Sequence, residues 1–455
     1  MKATFKYASL ALAALMFLAA LAGCGGKSAD GGSNSGAAAV GANASGSAAP
    51  SDDSGSKYTE PVTLTFYQFY AGLSDKELDQ YFIQPLKKKF PNVTLKKIYS
   101  GLQGPLDAYN ILASGENPDL IYTSNYSLPI FKDAKLQEKL DDYIKKNKFD
   151  MSKFDPVILD TLKKYNSDGT YAIPFSVNVA PLFYNKAIFD KFAVPYPKDQ
   201  STWDDIVELN NRLTRQDGGV QYRGIIPPVA KQLGDQLALT YAKDNKATIN
   251  NDQWKKVLEL YQRFFTNQAM LDNGKIPEDK KMFFEQQTSA MYTNWADSAL
   301  ATLSGMAEKG QPMNWDMTTY PAFKESPGIG RRVDFHLMMV SPTSKHKDLV
   351  FDILAYVTSN EVQLEMTKNA RMTALNHNEI KTHFAENFDI IKGKNMNAIL
   401  NNKSAGINPS DYDVELSGYV NQAGYDVALG RKDINTALRE RQEQGDKYIA
   451  EQLAK

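Results

Sequence analysis

The sequence predicts an α/β fold divided into two lobes. Strand-like apolar runs alternate with amphipathic helix-like runs from residue 62 onward. That alternation implies crossover connections, hence a largely parallel sheet with helices on both faces. About 400 residues follow a long polar segment, more than a single compact core takes up.

Val62-Thr63-Leu64-Thr65-Phe66 alternates apolar and polar residues and reads as the first strand. Ser74-x-x-Glu77 is a capping box, followed at helical spacing by Leu78, Phe82, Leu86 and Phe90. Pro85 falls inside that helix and predicts a kink or an early break. Residues 93–98 read as a second strand, 106–113 as a helix stopped by Gly115, and 120–122 as a third strand. Ligands of such sheets gather at the carboxyl ends of strands, so the residues just past Phe66 and Tyr122 are candidates.

The middle of the chain repeats the alternation. Residues 171–174 and 182–184 are strand-like, and Thr202-x-x-Asp205 caps a helix bearing Trp203, Ile206, Val207 and Leu213. Trp254, Val257, Leu258 and Phe265 mark another amphipathic helix. Residues 290–292 and 337–340 read as strands. Leu349, Val350, Ile353, Leu354 and Val357 form a strong helical stripe. The last third is mostly helical.

Composition narrows the function. The formal charge is −1, so no basic stripe points to nucleic acid or to an anionic surface. Hydrophobic content of 42% fits a chain with a sizeable core. Beyond residue 24 no segment approaches the roughly 20 apolar residues of a membrane-spanning helix.

The N-terminal segment reads as an export signal. Lys2 and Lys6 precede a short alanine-rich apolar run over 8–20. Leu21-Ala22-Gly23-Cys24 then resembles the lipobox of bacterial lipoproteins, and Cys24 is the only cysteine of the chain. The resemblance implies a signal peptide over 1–23 and acylation of Cys24. Residues 24–57 then form a linker of Gly, Ala, Ser and Asn that buries too little apolar surface to fold.

Six further segments carry a second resemblance. Tyr171-Ala172-Ile173-Pro174, then Tyr184-Asn185-Lys186-Ala187-Ile188-Phe189-Asp190 and Thr202-Trp203-Asp204-Asp205, resemble the central signature of extracellular solute-binding proteins of family 1. Ser289-Ala290-Met291 through Trp295, Ser341-Pro342-Thr343-Ser344-Lys345-His346-Lys347, and Asp433 to Leu438 resemble the later motifs in order. These are the sugar receptors of ABC importers, the class of maltose-binding protein.

The resemblance implies a two-lobed periplasmic-binding-protein type II fold with three hinge crossings, near 178–181, 319–323 and 341–345. The N-terminal lobe would be 58–178 plus 324–341 and the C-terminal lobe 182–318 plus 346–455. It implies a monomer on the extracellular face of the membrane, held by its lipid anchor, passing a carbohydrate to ABC permease subunits. A receptor feeding a sensor system shares this architecture.

Sugar binding calls for flat aromatic faces and fixed polar side chains. Gln68 and Tyr70 follow the first strand; Ser124 and Asn125 follow the third; Asn178 sits at the first crossing. The resemblance places Trp295 where relatives stack a sugar ring. Arg371, Gln232 and Tyr419 complete the expected set, and Arg371 would admit uronate-bearing fragments. An enzyme is not expected. The chain has no Gly-x-Ser-x-Gly elbow, no His-Glu-x-x-His and no phosphate-cradling loop, and its four histidines lack metal-ligand spacing. No metal and no cofactor is implied.

Overall fold

The computed structural model describes residues 57–100, 108–277 and 280–454. The signal segment, Cys24 and most of the linker therefore lie outside the described residues. Two five-stranded sheets organise the rest. The first runs in the order Val93–Ser100, Val62–Phe69, Leu120–Ser124, Phe335–Val340, Ile173–Val177. The second runs Trp315–Thr318, Leu182–Asn185, Ser289–Thr293, Val220–Ile226, Arg215–Asp217.

Only part of this follows the expected parallel pattern. The first three strands of the first sheet are mutually parallel, joined by crossovers. Phe335–Val340 is antiparallel to both its neighbours. The second sheet has one parallel pair, Ser289–Thr293 with Val220–Ile226. Strands that arrive from the other lobe are not bound by the crossover geometry that makes neighbours parallel.

Local signals decide many elements. Ser74 and Thr202 each close a full capping box, with Glu77 and Asp205. The helix that Ser74 starts passes through a π-helical turn, Asp79–Ile83, and Pro85 lies in the first turn of the α-helix that follows. There its missing N–H costs nothing that the wider turn has not already surrendered. Residues 108–115 form successive turns rather than the expected helix, ending at Gly115 with φ +83°. Gly101, Gly104 and Pro105 just upstream disfavour a helical nucleus there.

Each sheet has its own core. In the first, Phe66, Phe82, Tyr122 and Phe175 pack ring against ring, with centroids 5.0–6.2 Å apart. In the second, Trp203 and Trp254 are buried and their indole N–H groups reach Gln236 and the Thr240 carbonyl. A fully buried side chain of this size contributes about 1.5–3 kcal/mol.

The packing redraws the expected crossings. Residues 178–181 do separate strands of the two sheets. Tyr320 and Phe323 lie in the second core, however, and Val333 is the first residue back in the first. Leu349, Val350, Ile353, Leu354, Val357 and Met366 are also in the first core, so the chain does not leave it at 341–345. An amphipathic stripe shows that a helix buries one face; it does not say against which lobe.

Candidate ligand-binding site

A cavity of about 1120 Å³ is lined by residues of both sheets' surroundings. One wall comes from the ends of the strands Val62–Phe69 and Leu120–Ser124 and from the capped helix at Ser74. The other comes from the helix Ala296–Glu308 and from residues 387–390. Small residues on that helix, Ser298, Ala301, Ser304 and Gly305, keep the space open, while Ala299, Leu300 and Leu303 are buried behind them.

Five of the expected ligand residues meet here: Tyr70, Ser124, Asn178, Trp295 and Arg371. Tyr70 is half exposed and has φ +48°, a left-handed conformation unusual for a bulky residue. Gln68, also expected to bind ligand, is buried and donates Nε2 to the Ala71 carbonyl at 2.6 Å. It thus closes the turn that throws Tyr70 outward and is not itself in the lining.

Asn125 does not reach the cavity either. It is fully buried, and its Oδ1 accepts from Phe335 N at 3.0 Å, pinning the inserted strand to the turn Asn125–Ser127. Gln232 accepts from Val229 N at the start of its own helix. Tyr419 packs partly buried against the second core. Neither lines the cavity.

Trp295 occupies the N-cap position of the helix Ala296–Glu308. That helix is tied to the first crossing by Ala296 N donating to the Val179 carbonyl at 2.7 Å. The guanidinium of Arg331 lies 3.8 Å from the centre of the Trp295 ring, a cation–π contact.

Arg371 is nearly fully buried, and its donors are spent on protein. Nε donates to Glu77 Oε1 at 2.9 Å, Nη1 to His336 Nδ1 at 2.9 Å and Nη2 to the Gly72 carbonyl at 2.8 Å. It offers no open fork for a uronate carboxylate, which corrects the sequence expectation. Burial opposes the charge on Glu77, yet Arg371 and Ser74 hold its carboxyl below the usual value.

His336 was not expected here. Burial, then the Arg371 charge, keeps it neutral, well below the ordinary histidine value. Tyr122 Oη at 2.8 Å and Arg371 Nη1 both converge on Nδ1. The network therefore assigns the proton to Nε2, leaving a donor for the cavity.

Asp334 was missed as well. It is 7% exposed and lines the cavity. Asn178 donates twice to it, N to the carbonyl at 2.8 Å and Nδ2 to Oδ1 at 3.0 Å, which lashes the first chain passage to the second. Burial, partly offset by Arg331 and Asn178, pushes its carboxyl up to about 6. Asp297, across the cavity, is also raised, by burial against the pull of Arg371. None of these three carried a motif; each becomes a site residue through contacts far along the chain.

Two walls on separate sheets, joined by lashed passages around a polar and aromatic gap, describe a binding cleft. A family profile described as bacterial extracellular solute-binding protein matches residues 70–364. The chain belongs to this family. It is a solute-binding protein, not an enzyme.

An Escherichia coli relative of this solute-binding protein, YcjN, is named as an ABC transporter periplasmic-binding protein. It is 22% identical over 397 residues, covering 81% of this chain and 88% of its own. The ABC substrate-binding protein Lmo0181 from Listeria monocytogenes, solved with cycloalternan, superimposes with a TM-score of 0.70 at 20% identity. That match covers 86% of this chain and 100% of the other. The GacH receptor of Streptomyces glaucescens, solved unliganded and with acarbose, gives a TM-score of 0.65 at 16% identity over 85% of this chain and 98% of its own. These likenesses give the two-lobed α/β fold.

Proposed function

We propose that this solute-binding protein is the receptor of an ABC importer and takes an oligosaccharide into the cleft between its lobes. The observation that carries this reading is the pairing of Tyr70 and Trp295 with hydroxyl-matching groups, Ser124, Asn178, His336 and Asp334, around one cavity. Flat rings suit the C–H faces of sugars, and fixed dipoles suit their hydroxyls. A volume of about 1120 Å³ exceeds the range of roughly 300–1,000 Å³ typical of drug-sized ligands, which favours a chain of sugars over a single ring. The sugar-bound Listeria and Streptomyces neighbours point the same way.

Ligand touching both walls would favour the closed form through its differential contacts with that form. The closed form would then dock on the permease. Cys24 would carry the acyl anchor at the extracellular face, with 1–23 removed and 24–57 as tether.

A thermal-shift screen against neutral, amino and acidic oligosaccharides tests the reading, because a tight ligand raises apparent stability by linkage. At least one saccharide should raise the melting temperature by several degrees and contract the protein in small-angle scattering. A flat response to every glycan would overturn it.

A further inference from the structure

Tyr81 carries a hydroxyl that the protein leaves unused. It lies four residues after Glu77, so the two side chains share one face of the helix that Ser74 starts, and both line the cavity. The Tyr81 ring belongs to the first core, and 1% of the residue is exposed. Among the described residues that line the cavity, Tyr81 is the one with a buried side-chain polar atom, Oη, that has no hydrogen-bond partner.

The groups around it are bonded to one another instead. Glu77 gives Oε1 to Arg371 and Oε2 to Ser74. The Arg371 donors go to Glu77, His336 and the Gly72 carbonyl, and Tyr122 Oη pairs with His336. Glu365 Oε1 accepts from Asn369. Burial and the Glu77 charge raise the phenol against the pull of Arg371, so the hydroxyl stays protonated and able to donate. A buried hydroxyl without a partner costs stability that a phenylalanine in the same space would keep. The helix also widens at this point. Tyr81 is the middle residue of the π-helical turn Asp79–Ile83, and Pro85, four residues on, has no N–H for the Tyr81 carbonyl. Turns of this kind are frequent at functional sites, and the wider turn gives the ring the small shift that a ligand contact takes.

We propose that Tyr81 is a specificity-determining residue of the cleft, its phenolic hydroxyl pairing with one hydroxyl of the bound saccharide. A phenol both donates and accepts, as a sugar hydroxyl does, so the pair is matched without any charge. A site built to bond one hydroxyl rejects the analogue that lacks it, because the protein's own polar group is then left unmet. Tyr81 therefore selects among sugars that differ at a single position. This inference rests on the carbohydrate reading above.

The test is calorimetry on the wild-type protein and Tyr81→Phe, which removes the oxygen and keeps the ring. The probes are α- and β-linked gluco-, manno-, galacto- and xylo-trisaccharides, followed by the monodeoxy forms of the tightest binder. Without ligand the variant should melt at or above the wild-type temperature, since the lost hydroxyl had no partner. Its affinity for the tightest trisaccharide should fall about tenfold, the loss expected for one hydrogen bond. One monodeoxy form should bind wild type about as weakly as the parent sugar binds the variant, and should lose nothing more in the variant. The other deoxy forms should lose about tenfold in the variant, as the parent does. Unchanged affinity of Tyr81→Phe for the parent sugar would overturn the role of Tyr81 and leave the carbohydrate reading standing. An equal loss in the variant for the parent and every deoxy form would overturn it too, because the residue would then act through packing. Binding of no trisaccharide by the wild type would overturn both.

Discussion

Arg371 and Glu77 meet through two nitrogens and one oxygen, with Nε at 2.9 Å and Nη2 at 2.7 Å from Glu77 Oε1. The other oxygen, Oε2, accepts Ser74 N at 2.9 Å and Ser74 Oγ at 2.8 Å. One carboxylate thus caps a helix and holds a buried guanidinium that anchors His336. Removing one partner of a buried pair strands the other charge, a loss of about 3–5 kcal/mol at full burial. Glu77 keeps about a quarter of its side chain exposed, so the lower end applies. Arg371→Met should lower unfolding free energy by about 3 kcal/mol in urea titrations. Arg371→Lys should recover little of it, because an ammonium reproduces neither the fork nor its three directions. Near wild-type stability in both variants would show that the pair contributes nothing net.

Asp334 sets a pH dependence of opposite sense to that of a salt-bridged acid. Its carboxyl is pushed up to about 6 by burial, against an ordinary value near 3.9 in an unfolded chain. Between about pH 4 and 6 the folded state binds the proton more tightly than the unfolded state does. Its contribution to stability therefore declines as pH rises through that window and stays low above it. Asp334→Asn keeps an acceptor for Asn178 Nδ2 and removes the buried charge. The variant should match wild type near pH 3 and exceed it above about pH 6, by up to about 3 kcal/mol. Unfolding midpoints that run parallel from pH 3 to 8 would contradict this.

Gly234 offers a test that depends on packing alone. A Cβ there would stand 2.1 Å from Trp254 Cζ3, and the indole is fully buried with no room to yield. Gly234→Ala should destabilise by about 1–3 kcal/mol through overpacking, despite the better helix propensity of alanine. A stabilised variant in thermal melts would mean that the helix Ala230–Gln236 moves away from Trp254 at little cost.

The anchor proposed at Cys24 is tested by where the protein goes. Cys24→Ser should move the protein from the membrane fraction to the medium or leave it unprocessed. Metabolic labelling with a fatty acid should mark the wild type alone. Unchanged membrane association with no label would remove the anchor from the proposal.

The sequence made local chemistry legible and long-range assembly only partly so. Both capping boxes, at Ser74 and Thr202, were readable because donor and acceptor lie three residues apart. Trp203 and Trp254 sit where their helical stripes place them, in the core. Position after a strand makes Asn125 a candidate ligand residue, yet its amide oxygen serves the backbone N–H of Phe335, 210 residues away. The spacing around Glu77 shows a cap and nothing more, since Arg371 lies 294 residues further on. His336 and Asp334 gained their roles from partners on other strands and passages, and no spacing rule reports such contacts.

Trp295 joins the fold to the cleft. Its backbone starts the helix that lines one wall, its ring lines the cleft, and Arg331 lies against the ring at 3.8 Å. In the proposed binding mode the guanidinium contact holds the ring in place, so that its flat surface is set before a sugar arrives. Truncation removes both the surface and the ring that Arg331 covers. Trp295→Ala should weaken the best saccharide of the screen by about 2 kcal/mol or more, roughly thirtyfold, as for buried aromatic anchors. Trp295→Phe should keep much of the affinity, since a smaller ring still presents a face. Arg331→Ala should fall between wild type and Trp295→Ala, because the ring remains but loses the contact that orients it. Calorimetry on the three variants separates these cases, and unchanged affinity in Trp295→Ala would place the sugar elsewhere in the cleft.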